Sequence, residues 1–299
     1  MSKRLMIVIV GVLALASAAS ANKHDATEKI KEGEWVDLLD KDLSQWDVYL
    51  SYPGAVIRSV LNGTAPTTLQ PIGLNPPGQQ IFSVIEQQGK PVLKITGEIY
   101  GAVSTKREYS NYDFRAKIKW GEKKWPPRLT EPRDSGILYN SIGAYAADYW
   151  HSWMQSQEFQ VIEGGMGDYW SIADSQVDVP AARGDGEKFY TYQHGAPLVS
   201  FGNTPGGDTA SKYCQHGPSS ELPDDWNQLE LICYGDKCVH IVNGKVVMAL
   251  SNSRSLQNGT VAPLTHGKLQ IQSEAAEAYY KDIQIRSISR IPEAYRQFF

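Results

Sequence analysis

Apolar and polar residues alternate with a period of two along most of the chain, a pattern that predicts β-strands. In residues 112–120, apolar side chains hold the even positions, and Asp113, Arg115, Lys117 and Lys119 hold the odd ones. Such a strand has one face for a core and one for solvent. The same pattern predicts further strands at residues 35–39, 46–50, 92–96, 136–139, 159–162, 229–234, 239–242, 245–249, 269–272 and 280–288.

Helical periodicity is rare, and only residues 25–31 and 292–298 have the pattern of short helices. Many strands separated by turn residues, without alternating helices or a fixed repeat, predict one all-β domain built as an antiparallel β-sandwich or jelly roll. Residues 61–80 and 181–222 are rich in Gly, Pro, Ser or Thr and are expected to be long loops, either functional or surface insertions.

The first 21 residues have the three parts of a secretory signal peptide. Lys3 and Arg4 form a basic start, residues 5–15 are almost wholly apolar, and residues 19–21 supply the small side chains that precede cleavage. Cleavage near Ala21 would release a periplasmic or secreted protein. The expected organisation is a signal peptide over 1–21, an N-terminal segment over 22–34, the sandwich domain over 35–290 and a C-terminal tail over 291–299.

Composition and charge narrow the class of protein. Hydrophobic residues make up 41% of the chain, enough for a sizeable core, and 29 basic side chains face 33 acidic ones for a net charge of −4. Nucleic-acid binders usually display a clustered basic face, so we expect no nucleic-acid partner. No apolar run beyond residue 21 approaches the ~20 residues of a membrane helix, so we expect no membrane insertion.

Two of the three cysteines are placed for a hairpin. Cys233 and Cys238 flank a Gly235-Asp236 turn between apolar runs. In that register residue 233 faces residue 238 in a non-hydrogen-bonded pair, where Cα atoms lie about 4.5 Å apart and a disulfide is feasible. Two reduced, packed thiols are the alternative. Cys214 has no neighbour at a zinc-site spacing.

Aromatic residues are concentrated between positions 120 and 170. Trp120 belongs to the apolar face of its predicted strand and is expected in the core. Trp125, Trp150, Trp153 and Trp170 are expected in exposed loops. Because the C–H face of a sugar ring stacks on an indole, these four are predicted to bind substrate.

Carboxylate and amide side chains share one face of two predicted strands. Glu158 and Gln160 point away from the core side of the strand at 159–162, and a later strand repeats the pattern with Gln272 and Glu274. These faces either are solvated exteriors or line a cleft for sugar hydroxyls. The excess of Gln and Glu over Lys and Thr favours the cleft.

The paired carboxylates of a sandwich-fold glucanase are missing, because Gln160 holds the middle position and Glu163 falls on the other face. A retaining glycosidase needs two carboxyl groups about 5–5.5 Å apart. Among the histidines, His151 lies in the Trp-rich segment and His240 on a predicted strand, where it is either functional or a packed core residue.

The chain resembles the 3-keto-disaccharide hydrolase family over most of its length, in blocks that follow the family's order. The blocks are Val36-Asp37-Leu38-Leu39 through Trp46, Thr105-Lys106-Arg107-Glu108-Tyr109 with Asn111-Tyr112, the segment from Lys119 to Arg128, Asp134-Ser135-Gly136-Ile137-Leu138-Tyr139, Glu158-Phe159-Gln160 leading to Gly167-Asp168, Trp226-Asn227, His240 with Asn243-Gly244, and the segment from Gln270 to Glu274. The resemblance implies a concanavalin A-like jelly roll.

The resemblance also implies cleavage of glycosides or oligosaccharides that carry a 3-ketone, by 3-keto-glucoside 1,2-lyase and 3-keto-2-hydroxy-glucal hydratase activities. The ketone acidifies the proton on C2, so a base at that proton leads to expulsion of the aglycone from C1. This chemistry needs a base, an acid and a cation or donor for enolate charge.

The residue types for these roles are present. We expect Glu158 as the main acid–base residue, His151 or His240 as its partner in proton transfer or metal ligation, and Lys106 as the stabilising cation. Gln160 is expected to orient the substrate. A divalent metal ion is left open as a cofactor. The alternative function is noncatalytic, lectin-like carbohydrate binding, because a fold does not determine a function.

Overall fold

The structure is a computed structural model and describes residues 32–202 and 209–299. Its strands are β1 (Val36–Asp37), β2 (Trp46–Pro53), β3 (Gly73–Leu74), β4 (Phe82–Gln87), β5 (Lys90–Ile95), β6 (Ile99–Thr105), β7 (Tyr112–Lys124), β8 (Asp134–Ile142), β9 (Gln155–Ile162), β10 (Tyr169–Ile172), β11 (Ser175–Ala182), β12 (Thr191–Tyr192), β13 (Leu198–Gly202), β14 (Tyr213–Cys214), β15 (Asn227–Tyr234), β16 (Lys237–Val242), β17 (Lys245–Gln257), β18 (Thr260–Pro263), β19 (Lys268–Ser273) and β20 (Ala276–Ser287).

These strands form two antiparallel sheets, and the predicted jelly-roll sandwich is confirmed. The larger sheet has the order β12-β11-β17-β16-β15-β7-β20-β5-β4, with β1, β13 and β18 attached to β20, β11 and β17. The smaller sheet has the order β14-β10-β9-β8-β19-β6-β2-β3.

The core lies between the two sheets. From the larger sheet, Phe114 and Ile118 of β7 are fully buried, and from the smaller sheet Phe159 of β9 and Ile271 of β19 are fully buried. These are the apolar positions of the two-residue pattern. Their burial stabilises the fold by about 25 cal/mol for each Å² of apolar surface removed from water. Trp120 is 7% exposed and belongs to this core, as expected.

The β15–β16 hairpin has the predicted register. Cys233 pairs with Cys238 and Tyr234 with Lys237. The two cysteine Cα atoms are 4.3 Å apart and the side chains form a disulfide, so of the two alternatives the disulfide is the one present. Cys214 is a buried free cysteine.

The helices differ in part from the sequence prediction. The sequence did not predict the α-helix α1 (Gly54–Leu61), because its β-branched residues favour strands. In the structure its Ile57 is fully buried. A 3-10 helix at Glu293–Phe298 replaces the predicted helix at 292–298. The predicted helix at 25–31 and signal peptide at 1–21 lie outside the described residues. Neither helix in the described part of the chain has the length and apolarity to span a bilayer.

The two segments expected to be long loops differ in how much secondary structure they contain. Between the end of α1 at Leu61 and residue 80, the chain forms only the short strand β3, as expected for a loop. Residues 181–222, in contrast, include the short strands β12, β13 and β14, which extend the edges of both sheets.

A second apolar cluster covers part of the outer face of the smaller sheet. Ile57 of α1 packs there with Tyr100, Leu138 and Trp153. Helix α1 and the loop before β9 therefore form a wall on this face, beside strand β9, which carries Glu158.

Candidate functional site

A pocket of about 620 Å³ opens on the outer face of the smaller sheet. Its floor comes from β8, β9 and the residue after β19, and its walls come from β10 and the loop between β8 and β9. The volume is within the range of small-molecule sites in proteins. Glu158, Gln160 and Glu274 line it, so the outer-face carboxylates and amide line a cavity, not a solvated exterior.

Glu158 lies at the centre of the floor. Its cross-strand partners are Leu138 of β8 and Trp170 of β10, and all three side chains lie on the outer face. Only 3% of Glu158 is exposed. Burial raises the pKa of its carboxyl group well above its ordinary value, and the nearby carboxyl groups of Glu274 and Asp134 raise it further.

Gly136 makes room for Glu158 and its neighbour Gln272. Strand β8 lies between β9 and β19, and Gly136 pairs with Gln160 on one side. A Cβ atom on Gly136 would collide with the side-chain oxygens of both Gln272 and Glu158. Glycine at this position therefore lets two polar side chains from strands on either side approach each other.

Two more carboxylates and a guanidinium stand beside Glu158. Arg128 Nη2 donates to Glu274 Oε1 at 2.7 Å and forms an ion pair with Asp134 Oδ2. The Asp134 and Glu274 side chains are 1% and 6% exposed, and that of Arg128 is 15% exposed. We call Arg128, Asp134 and Glu274 the acidic triad of the pocket.

Charge in the acidic triad is unbalanced, because two carboxyl groups share one guanidinium. Burial, followed by the charge of Glu274, raises the pKa of Asp134 well above its ordinary value. Burial also raises the pKa of Glu274, although Arg128 opposes this effect. Like charges held close together in a buried site do not both ionise readily, so the raised pKa values favour a shared proton on this pair.

Asp148 organises the loop that forms the rim. Its carboxylate accepts hydrogen bonds from the backbone N–H groups of Trp150 at 2.7 Å, Ser152 at 2.8 Å and Trp153 at 2.7 Å. Burial still raises its pKa. These bonds hold the rim in one conformation and present Trp150 and Tyr149 to the pocket.

The four predicted sugar-stacking tryptophans have two different roles. Trp150 and Trp170 are half-buried and line the pocket, and Trp170 lies in strand β10, not in a loop. Trp153 also borders the pocket, but it is 2% exposed and its Nε1 donates to Gly101 O at 3.2 Å. Trp125 packs against the outer-face cluster, and its Nε1 donates to Thr96 O at 2.8 Å. The expected exposure of Trp153 is therefore wrong.

His240 lies in the core between the sheets, on the opposite side of β9 from Glu158. Its ring stacks on Phe159 with centroids 4.3 Å apart, and its Nε2 lies 3.0 Å from the Tyr139 hydroxyl. Burial lowers its pKa to about 4. This placement corrects the expected partnership with Glu158 and matches the alternative of a packed core imidazole.

Neither His151 nor Lys106 reaches the pocket lining. His151 is exposed next to Trp150, with its backbone N–H bonded to Asp148 O at 3.0 Å. Lys106 is exposed, and its Nζ donates to Ser44 O at 2.7 Å. Arg128, which is paired with Asp134 and Glu274, takes the place expected for Lys106, and Lys212 is a second cation in the pocket lining.

Arg128, Asp134 and Asp148 are the residues that the sequence reasoning missed. Arg128 and Asp134 stand inside sequence blocks that carry the family resemblance, so that resemblance was the available signal. Within residues 32–202 and 209–299, no group of three or more His, Cys, Asp or Glu side chains is arranged to hold a metal ion. The divalent ion left open by the sequence has no ligand set among these residues.

The sandwich carries an acidic, indole-walled pocket on one outer face, and these features suit a carbohydrate ligand. A comparison with models of known protein families identifies one domain in this chain. Residues 34–286 match the 3-keto-alpha-glucoside-1,2-lyase-like domain, and the chain belongs to this family. The resemblance inferred from the sequence blocks is confirmed.

The solved structures that this chain is similar to are distant from it in sequence. Two proposed glycosyl hydrolases from Parabacteroides distasonis share 16% and 14% identity, with TM-scores of 0.44 and 0.45, and the alignments cover 85% of this chain and 100% and 94% of theirs. A protein of unknown function with a galectin-like fold from Bacillus subtilis shares 12% identity, with a TM-score of 0.42, over 87% of this chain and all of its own. Among curated protein sequences, none matches this chain.

Proposed function

We propose that the protein cleaves the glycosidic bond of 3-keto-glycosides by elimination and that water then adds to the product. The observation that carries the proposal is the juxtaposition of Glu158 with the acidic triad in one sugar-sized pocket. Membership of the 3-keto-alpha-glucoside-1,2-lyase-like family supports it.

In the first step, a carboxylate removes the proton from C2 of the substrate. The C–H electron pair forms an enolate with the C3 carbonyl. The enolate then collapses, forms a C1–C2 double bond and expels the aglycone oxygen, which takes a proton from an acid. In the second step, water adds across this double bond, with hydroxyl at C1 and hydrogen at C2. The sum of the two steps is hydrolysis.

Glu158 is the proposed base. Its raised pKa makes the ionised form a stronger base than an exposed glutamate, and it lies on the pocket floor next to Trp170. The acidic triad supplies the other two requirements. Its two carboxyl groups hold a proton for the leaving oxygen, and Arg128 provides the positive charge that stabilises enolate oxygen.

A substrate comparison tests the proposal. The protein is incubated with a chromogenic 3-keto-glucoside and with its unoxidised parent, and release of the chromophore is followed. Release from the ketone alone is the expected result. Release from both at similar rates would indicate an ordinary glycosidase. Binding of both without release would support the second candidate, a noncatalytic carbohydrate-binding protein, which the half-buried indoles of Trp150 and Trp170 also suit.

Substitution of Glu158 tests its role as base. Glu158→Gln keeps the size of the side chain but removes the proton acceptor, so the rate on the 3-keto substrate should fall by ~10²- to 10⁴-fold. Gln160→Ala, on the same strand face, should cost less because an amide only orients the substrate. An unchanged rate in Glu158→Gln would assign the chemistry to the acidic triad instead.

The proposed site of action is outside the cytoplasm. The signal-peptide pattern of residues 1–21 supports it, and so does the Cys233–Cys238 disulfide, because disulfides persist in oxidising compartments. N-terminal sequencing of protein recovered from a periplasmic extract or culture medium should find a start near Asn22. An intact N-terminus in a cytosolic fraction would contradict this.

A further inference from the structure

A second concave site lies on the outer face of the larger sheet, on the other side of the sandwich from the acidic pocket. It consists of a cavity of about 590 Å³ and an adjoining one of about 290 Å³. The two cavities share Lys90, Lys117 and Asp282 in their linings, so they form one depression, which we call the basic groove.

The basic groove carries excess positive charge. Three lysines, Lys90, Lys117 and Lys281, and Arg115 line it together with a single acidic residue, Asp282. Asp282 Oδ2 lies 3.0 Å from Lys117 Nζ, and Asp282 Oδ1 lies 3.9 Å from Lys90 Nζ. One carboxylate does not neutralise three ammonium groups and a guanidinium. The groove is thus a positive site on a chain whose net charge is −4.

Several of these charges are held in place. A bulge in β20 interrupts its pairing with β7 between Lys281 and Gln284, and Asp282 there has a φ of 50°. The bulge brings Asp282 alongside Lys117. Lys281 Nζ lies 3.9 Å from the centroid of the Trp226 ring, a cation–π contact. Ordering of these side chains before binding lowers the entropic cost of capturing an anion.

The other groups in the basic groove suit hydroxyls. Four side-chain amides line it. Those of Gln87, Gln88 and Gln228 each offer both a donor and an acceptor. The amide of Gln284 already accepts from Arg115 Nε at 2.8 Å and donates to Asp37 Oδ1. Trp226 adds an aromatic surface. Ammonium, amide and indole groups together match a ligand that carries carboxylates, hydroxyls and ring C–H faces.

The layout favours a chain-like ligand over a single ion. Lys117 pairs with Gln228 on β15 and with Lys281 on β20, so these three side chains follow one another across adjacent strands about 4.8 Å apart. Lys90 stands at the start of the next strand, β5. A linear molecule lying across the strands would meet an amide and then successive cations.

We propose that the basic groove binds a linear acidic glycan, with carboxylates on successive sugar units, as a binding site separate from the pocket. A membrane surface is the less favoured ligand, because the groove is concave and none of the exposed large apolar side chains among the described residues lines it. Binding there would hold the protein on an acidic polysaccharide while the pocket on the opposite face stays open.

Isothermal titration with an oligogalacturonate tests the proposal, using the full protein at low salt. A malto-oligosaccharide of equal length serves as the uncharged probe, and vesicles containing phosphatidylglycerol serve as the lipid probe. We expect heat only from the acidic oligosaccharide. Its affinity should fall as NaCl is raised, because the contacts are partly exposed and screened.

Paired variants locate the binding. Lys117→Ala combined with Lys281→Ala should weaken binding of the oligogalacturonate about five- to tenfold. Lys119→Ala is the matched control, since it removes a cation from the same face of β7 outside the groove and should change affinity less than about twofold. Melting temperature and release from the 3-keto substrate should stay unchanged in each variant, which separates this result from the proposed activity.

Four outcomes would overturn the proposal. They are absence of binding by the wild-type protein, equal binding by the double variant and the Lys119→Ala control, tighter binding to vesicles than to the oligosaccharide, and equal affinity for the uncharged probe.

Discussion

Glu158 and Gln272 lie over Gly136, and each places its Oε1 atom 2.3 Å from the position that a Cβ atom on that glycine would take. The three residues come from neighbouring strands, β9, β19 and β8 respectively. The arrangement of the pocket floor therefore depends on glycine at position 136, as well as on the polar side chains around it.

Gly136→Ala should disturb the pocket more than the fold. The added methyl group meets the ends of two side chains, which must move, and misplacement by about 1 Å can cost ~10²-fold in rate. We expect a loss of that size in kcat/KM on the 3-keto substrate. Gly184→Ala is the control, because its Cβ would meet only Glu187 Cγ at 3.3 Å. Full activity in Gly136→Ala would show that the position of Glu158 is not critical.

Glu158→Gln should stabilise the protein at alkaline pH. A carboxyl group whose pKa is raised on folding holds its proton more tightly in the folded state, so stability is lost as pH rises above 4.5, its ordinary pKa. Gln does not ionise and avoids this loss. By urea denaturation, the variant should exceed wild type by about 1 kcal/mol or more at pH 8, with the difference closing toward pH 4.

The exposed Glu86 provides the control for this comparison. Glu86→Gln should follow the wild-type stability curve at both pH values, because its carboxyl group is solvated in the folded and unfolded chain. A Glu158→Gln curve that also follows wild type would mean that Glu158 is not held in the environment described for it.

Arg128→Met should leave the carboxyl groups of Asp134 and Glu274 without their cation. Removing one partner of a buried ion pair typically costs about 3–5 kcal/mol, so we expect a loss of that order in unfolding free energy at pH 8. The loss should shrink at pH 4 to 5, where protonation neutralises the carboxyl groups. Adding Glu274→Gln should restore part of the stability. Equal losses with and without it would show that Arg128 acts through packing alone.

Trp153→Ala should mainly lower stability, whereas Trp170→Ala should mainly weaken substrate binding. Trp153 is 2% exposed in the outer-face cluster, so its removal leaves a cavity and should cost about 3–5 kcal/mol of unfolding free energy. Trp170 is half-buried and lines the pocket. Its removal should raise KM about five- to tenfold with a smaller change in stability. A reversal of the two phenotypes would contradict the assignment of these tryptophans.

The alternation of residues was sufficient for the sandwich and for the faces of its strands. Successive side chains of a strand point to opposite sides, so the sequence alone placed Glu158 and Gln160 together and Phe159 opposite to them. The same local rule aligned Cys233 with Cys238 across a short turn. Both inferences depend only on the order of residues along one strand or across one hairpin.

The sequence could not show which distant residues share the pocket. Arg128, Asp134 and Glu274 meet because β8 lies beside β19 and the loop after β7 folds back over both, and no local pattern records that approach. The same limit applies to His240 and Trp153. Their residue types suit either a site or a core, and the packing of one sheet on the other, and of α1 on the outer face, decided between the two. Strand periodicity is a local property of the backbone, whereas burial is a property of the whole packed chain.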